Sequence, residues 1–164
     1  MRDSVKTFLV ALSLVGAACG SSSGKDTAKF VGVWSAASGS YMQTCPGDAA
    51  NTGTSQVTTT DTWATGTTSD LVQTIAGTSC VLHADISAST ATATPANQTC
   101  SISSTATNGD SITQMLTLTA YQFVVSPDGL TAMENYSGTL VLTDNTAGAS
   151  ENCTFTQMAS YSKQ

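Results

Sequence analysis

Beyond residue 29, apolar and polar positions alternate with a period of two along most of the chain, and no helical period is sustained. Successive side chains of a strand point to opposite faces, so such strings predict strands with one buried face. They fall near residues 30–37, 54–60, 69–76, 80–87, 91–102, 112–125, 129–142 and 151–161. Turn chemistry separates them at Asn51-Thr52-Gly53, Asn108-Gly109-Asp110, Ser126-Pro127-Asp128-Gly129 and Asp144-Asn145-Thr146-Ala147-Gly148. The third of these places Pro where φ near −65° is wanted and Gly at the closing position, a hairpin signal. The sixth and seventh strings exceed the usual strand length, which predicts a bulge or kink in each. In the sixth, the apolar face moves from Ile112, Leu116 and Leu118 to Tyr121, Phe123 and Val125, a change of parity that a bulge produces.

Eight strands with short connections predict an all-β domain, an eight-stranded antiparallel up-and-down barrel. The even count leaves the first and last strands antiparallel, as closure requires, and closure removes exposed edges. A two-sheet β-sandwich is the alternative.

Composition narrows the class. Of 164 residues only 10% are charged, and Ser and Thr together supply roughly 31%, well above average usage. That balance excludes a disordered polyampholyte and a charged helical bundle; Thr suits strands, and Ser and Gly suit the turns between them.

The first 28 residues read as an address. Arg2 and Lys6 give a short basic start, Phe8 to Val15 an apolar stretch, and Gly16-Ala17-Ala18 small residues ahead of Cys19. The apolar stretch is too short for a membrane-spanning helix, which needs about 20 residues. The segment resembles a bacterial lipoprotein leader, in which cleavage leaves the cysteine as the acylated N-terminus. It departs at Gly16, where that family usually has Leu; ordinary cleavage leaving Cys19 free is the alternative. Residues 1–18 are thus expected as signal peptide, residues 19–29 as the lipidated Cys19 and a tether, and residues 30–164 as the β domain. From Gly20 to Ala28 the tether would reach roughly 30 Å when extended. The resemblance implies palmitate or a similar acyl chain on Cys19, a membrane partner through that anchor, and residence in the bacterial envelope on the outer membrane.

Loss of the leader takes Lys plus Arg from 5 to 3 and Asp plus Glu from 11 to 10, leaving a net charge of −7 and no arginine. Nucleic-acid binding depends on Lys/Arg contacts with phosphate, so that class of partner is excluded. Cys45, Cys80, Cys100 and Cys153 remain, an even number in an exported chain, which reads as two disulfides. A hairpin centred near residue 90 would set Cys80 opposite Cys100. By elimination Cys45 pairs with Cys153, joining the two ends of a closed sheet. In the chain-entropy model the two loops are worth roughly 3 and 5 kcal/mol. Zinc is the rival use of these cysteines, but there is no CxxC spacing and His83 is the only histidine, so neither metal nor cofactor is expected.

Phe30-Val31-Gly32-Val33-Trp34 supplies a Gly-x-Trp sequence in the first strand. In this the domain resembles the lipocalin-like (calycin) group. The resemblance implies that Gly32 allows close backbone approach, that Trp34 plugs one end of a barrel, and that the barrel holds a small apolar ligand. It departs from the group in lacking a Thr-Asp-Tyr motif and an arginine to cap the tryptophan.

Few residues suggest chemistry. His83 and Asp85 share one face of a strand, which suits a base with its orienting carboxylate, or equally two polar residues on a wet face. No Gly-x-Ser-x-Gly elbow is present. Glu134 shares parity with Leu130, Ala132, Tyr136, Leu140 and Leu142. It either lies inside beside a tyrosine hydroxyl or is rotated out by a kink. Paired carboxylates for glycoside hydrolysis need a second inward acid, and the strand parity supplies none. The three Asn-x-Ser/Thr sequons, at Asn97, Asn135 and Asn152, are accidental in a chain with a bacterial leader. Two functions follow. One is a non-catalytic lipid-anchored envelope lipoprotein that meets envelope proteins or glycans. The other is a lipocalin-like binder of a small apolar ligand, with Trp34, Glu134 and Tyr136 as its candidate contacts.

Overall fold

The computed structural model describes residues 25–75, 78–105 and 109–164. The leader, Cys19 and the tether up to residue 24 lie outside the described residues. The described chain is all-β, with ten strands in one large antiparallel sheet. In order they are β1 (Gly32–Thr44), β2 (Gly53–Gln56), β3 (Thr60–Thr65), β4 (Leu71–Ile75), β5 (Val81–Ser87), β6 (Thr90–Ala93), β7 (Thr99–Thr105), β8 (Ser111–Val125), β9 (Thr131–Asp144) and β10 (Ala149–Lys163). Single 3-10 turns at Thr27–Lys29 and Ala49–Asn51 are the described helical pieces.

Two long strands organise the sheet. β1 pairs with β10 along one edge, while its other edge is shared by β3, against Gly32–Ser35, and β2, against Ser40–Gln43. β8 repeats this plan with β9 on one side and both β6 and β7 on the other. β3, β4, β5 and β6 pair in succession, so the run of pairings that leaves β1 through β3 returns to it through β10. Alternation then sends one set of side chains to a common buried face. Phe30, Trp34, Trp63, Leu71, Phe123 and Tyr161 are the bulk of the larger core cluster, and Leu140 and Phe155 join the Cys45–Cys153 pair in a smaller one.

The expected strand near 54–60 ends early, as β2 at Gln56, and β3 at Thr60–Thr65 is a further strand that the pattern did not mark. The chain leaves β2 at Val57, whose N–H donates to Gly39 O, and re-enters the ladder one partner segment further along β1. Thr58-Thr59-Thr60 carries no apolar alternation there, so the change of partner left no mark in the pattern. The string at 91–102 also divides, into β6 and β7. Pro95 has no N–H to give a ladder, and Cys100 therefore does not face Cys80 across a simple hairpin. The hairpin that does form turns at Ala88-Ser89, with Ser87 opposite Thr90. Cys80 and Cys100 are nevertheless bonded, with Cα atoms 5.4 Å apart, as are Cys45 and Cys153 at 4.2 Å. Gln98 supports the first bridge by clasping His83, accepting from its N–H and donating to its C=O.

The bulge expected in the sixth string is present: pairing of β8 with β9 skips Thr119, between Leu118 and Ala120. No bulge interrupts β9, which runs in unbroken register against β10 from Thr131 to Asp144. Gly138 explains how it stays straight. A Cβ there would stand 2.1 Å from Thr117 O and 2.7 Å from the Phe155 ring, so a bare backbone lets the bulged strand close in. The turn at Ser126–Gly129 closes as its sequence requires, with Gly129 N–H on Ser126 O and φ of 74° at the glycine.

Candidate functional site

The residues of chemical interest gather on the buried face around Glu134. In β9, Glu134 lies directly across from Ala159 of β10 and from Phe123 of β8. Its diagonal neighbours, two positions along each flanking strand, include Gln157 and Tyr161 on β10 and Tyr121 on β8. Long polar side chains at such diagonal positions reach a common point on one face, and the small Ala159 between two of them leaves room. From the far side of the structure β3 contributes Asp61 and β4 contributes Gln73.

Glu134 is 1% exposed and its carboxylate is fully occupied. Tyr121 OH donates to Oε1 at 2.7 Å and Gln73 Nε2 at 3.2 Å; Gln157 Nε2 donates to Oε2 at 2.8 Å and Tyr161 OH at 3.0 Å. Four donors match the lone-pair capacity of an ionised carboxylate. Further polar side chains hold the donors in place. Gln157 Oε1 accepts from Tyr136 OH at 2.8 Å, Gln73 Oε1 lies 2.8 Å from Tyr121 OH, and Thr59 Oγ1 lies 3.2 Å from Tyr161 OH. Asp61, 2% exposed, takes the other Gln73 amide hydrogen on Oδ2 at 3.1 Å, while its Oδ1 has no hydrogen-bond partner.

Electrostatics separates the two acids. Burial pushes the Glu134 carboxyl up, against the opposing pull of its four donors. Asp61 is pushed up to about 7, first by burial and then by the charge of Glu134. Burial thus favours a proton in the cluster, and the four donors on Glu134 favour placing it on Asp61. Burial also raises Tyr121, Tyr136 and Tyr161, so all three stay protonated and remain donors.

A cavity of about 80 Å³ borders the cluster. Asp61, Gln73, Tyr121 and Glu134 form one end; Leu82, Leu116, Leu118 and the Cys80–Cys100 bridge line its apolar walls. Among the described residues, no Lys, Arg or His lines it.

Comparison with protein-family models, with curated proteins and with solved structures finds no match to this chain. The site must be read from its own geometry. Of the residues singled out from sequence, the structure brings Glu134 and Tyr136 together through Gln157. Trp34 stands apart, fully buried, edge-on to Phe123 at 5.2 Å, with its Nε1 donating to Phe30 O. Lys163 Nζ lies 5.4 Å from the centre of its ring. At Gly32 (φ 140°) a Cβ would meet the Lys163 side chain at 2.8 Å, a side-chain neighbour where a close backbone was expected. His83 and Asp85 go to different partners, Ser69 Oγ and Asp70 N–H, and do not form an acid–base pair.

The expectation that strand parity supplies no second inward acid is corrected by Asp61. It belongs to β3, the strand that the alternation failed to reveal, and so was never assigned a face. Gln73, Gln157, Tyr121 and Tyr161 were also missed as site residues. The signal available for three of them was their position: Tyr121, Gln157 and Tyr161 alternate with Phe123, Phe155 and Ala159 on the inward parity of their strands.

Proposed function

We propose that the chain is an exported bacterial lipoprotein, cleaved ahead of Cys19, acylated there and held on the outer membrane by the tether that follows. Its domain is a closed eight-stranded lipocalin-like barrel formed by β1, β3, β4, β5, β6, β8, β9 and β10, with β2 and β7 as flanking extensions. Pairing of β1 with both β3 and β10 supports closure, and the Cys45–Cys153 bridge staples that seam. Two disulfides suit the oxidising compartment that export provides.

The role is non-catalytic, in interaction with envelope proteins or glycans. One observation carries this reading: aromatic and aliphatic side chains pack the buried face, and the cavity beside Glu134 measures only about 80 Å³. Pockets that enclose drug-sized ligands measure about 300–1,000 Å³. The intact mass of protein isolated from its host tests the anchor. The expected result is a mature chain starting at Cys19 with added acyl mass, released in soluble form by Cys19→Ser; a mature N-terminus without lipid overturns it.

A second reading is favoured by the carboxyl-ended cavity. In it the barrel binds a ligand, but a small one with a polar end, in place of the purely apolar ligand the family likeness implies. An isolated polar end in an apolar space is the usual arrangement for fixing the orientation of a ligand.

A further inference from the structure

We propose that the interior cavity binds a small organic cation, a primary ammonium on a short apolar body, with the nitrogen at the Asp61–Glu134 end. The inference rests on the reading that the cavity is a ligand site and specifies its ligand class. Two carboxyl groups are buried together with no cationic side chain to offset them. The lysines among the described residues are committed elsewhere: Lys25 to Asp70, Lys29 to Asp26, and Lys163 to the carbonyls of Ala28 and Lys29. Buried charge is ordinarily paired, so the site lacks a positive partner.

The hydrogen-bond inventory points the same way. Every acceptor position of Glu134 is filled, whereas Asp61 Oδ1 receives no hydrogen bond of its own, because the Tyr161 hydroxyl that also acts on this carboxyl is given to Glu134 Oε2. Once Asp61 gives up its proton, what that oxygen lacks is a donor, and an ammonium carries three. Tyr121 and Tyr136 line the same space. Leu82, Leu116 and Leu118 suit a few methylene groups. The volume sets the size: a cavity of about 150 Å³ admits benzene, and this one is roughly half that. A hard metal ion fits worse, because it asks for six or more oxygens and the Glu134 oxygens already face four donors. An anion would meet two acids and no base. A proton is the natural competitor, since the pair can hold one in place of the ligand.

The experiment uses the exported full chain in detergent, titrated by calorimetry with n-propylammonium, n-propanol, propionate and calcium chloride between pH 5 and 8. Propylammonium is expected to bind at least tenfold more tightly than propanol. Its affinity should rise towards tenfold per pH unit up to about pH 7, as it displaces the proton, and then level off. Asp61→Asn should abolish that rise and weaken binding more than tenfold at pH 8, while Asp85→Asn, outside the cavity, should change neither. If propanol binds as well as propylammonium and Asp61→Asn changes nothing, the cation inference fails while the ligand-site reading stands. Saturable binding of calcium in preference to propylammonium overturns the organic-cation class. No saturable binding of any probe overturns both the inference and the ligand-site reading, and leaves the packed-interior role.

Discussion

The buried face has two halves built on different physics. Around Trp34 the contacts are ring on ring: Phe123 touches Trp34 and Trp63 at 5.2 Å and Tyr161 at 5.9 Å. Around Glu134 the contacts are hydrogen bonds converging on one carboxylate. The same alternation produces both, because parity decides which residues face inward and says nothing about their chemistry. Tyr161 belongs to both halves, its ring against Phe123 and its hydroxyl on Glu134. The aromatic half gains stability from area removed from water, which does not depend on pH. The acidic half gains specificity from satisfied hydrogen bonds but carries the cost of two buried acids, and that cost depends on pH.

The aromatic half gives the largest effect. Phe123→Ala removes the ring at the centre of the three contacts and leaves a cavity, so a loss of about 3–5 kcal/mol is expected. Urea denaturation should give the same loss at pH 5 and pH 8. A loss under about 1 kcal/mol, or one that changes strongly with pH, would contradict a dry packed half independent of the acids.

The acidic half should respond to pH in the opposite manner. Asp61 is raised in the folded protein to about 7 from an ordinary carboxyl value near 4. Its contribution is fully present below about pH 4, where folded and unfolded chains both hold the proton. It is lost as pH rises from about 4 to about 7, because the unfolded chain ionises first, and it is gone above that range. At about 1.4 kcal/mol per unit the fall is at most about 4 kcal/mol. Asp70 and Asp128, both lowered by their hydrogen bonds, act in the other direction but chiefly below pH 4. Glu134, also raised by burial, acts in the same direction, so stability measured from pH 5 to 8 should decline and Asp61→Asn should reduce the decline without removing it. A wild-type profile that rises with pH in this window would refute the assignment of the proton to Asp61.

The two halves were also unequally legible. The aromatic half follows from strong alternating strings, and the β8 bulge was visible as a change of apolar parity at Leu118/Tyr121. The disulfide partners were legible too, although for Cys80–Cys100 the hairpin argument named the right pair by a route the chain does not take. Glu134 was visible as an inward candidate because four apolar neighbours share its parity. Its partners were hidden for two reasons. β3 is short and Thr-rich, with Trp63 the one large apolar residue on the face of Asp61, too little alternation to declare a strand. Gln73, in turn, meets Glu134 across 61 positions of sequence, through the curvature of the sheet, which no local pattern encodes.

The smallest effect tests how far the network extends. Tyr136 OH donates to Gln157 Oε1, and Gln157 in turn donates to Glu134 Oε2. Tyr136→Phe removes one hydroxyl and keeps the ring, which stacks on Tyr121 at 6.0 Å and meets Phe155 edge-on at 5.7 Å. The packing is retained, so the loss should be that of one buried neutral hydrogen bond, about 1 kcal/mol. A double-mutant cycle separates this from any change in packing. In a Gln157→Ala background the acceptor is already gone, and Tyr136→Phe should then cost close to nothing. Equal costs in both backgrounds would mean that the tyrosine hydroxyl does not act through Gln157. The ordered network would then end at the four donors of Glu134, with Tyr136 serving only as a packed ring.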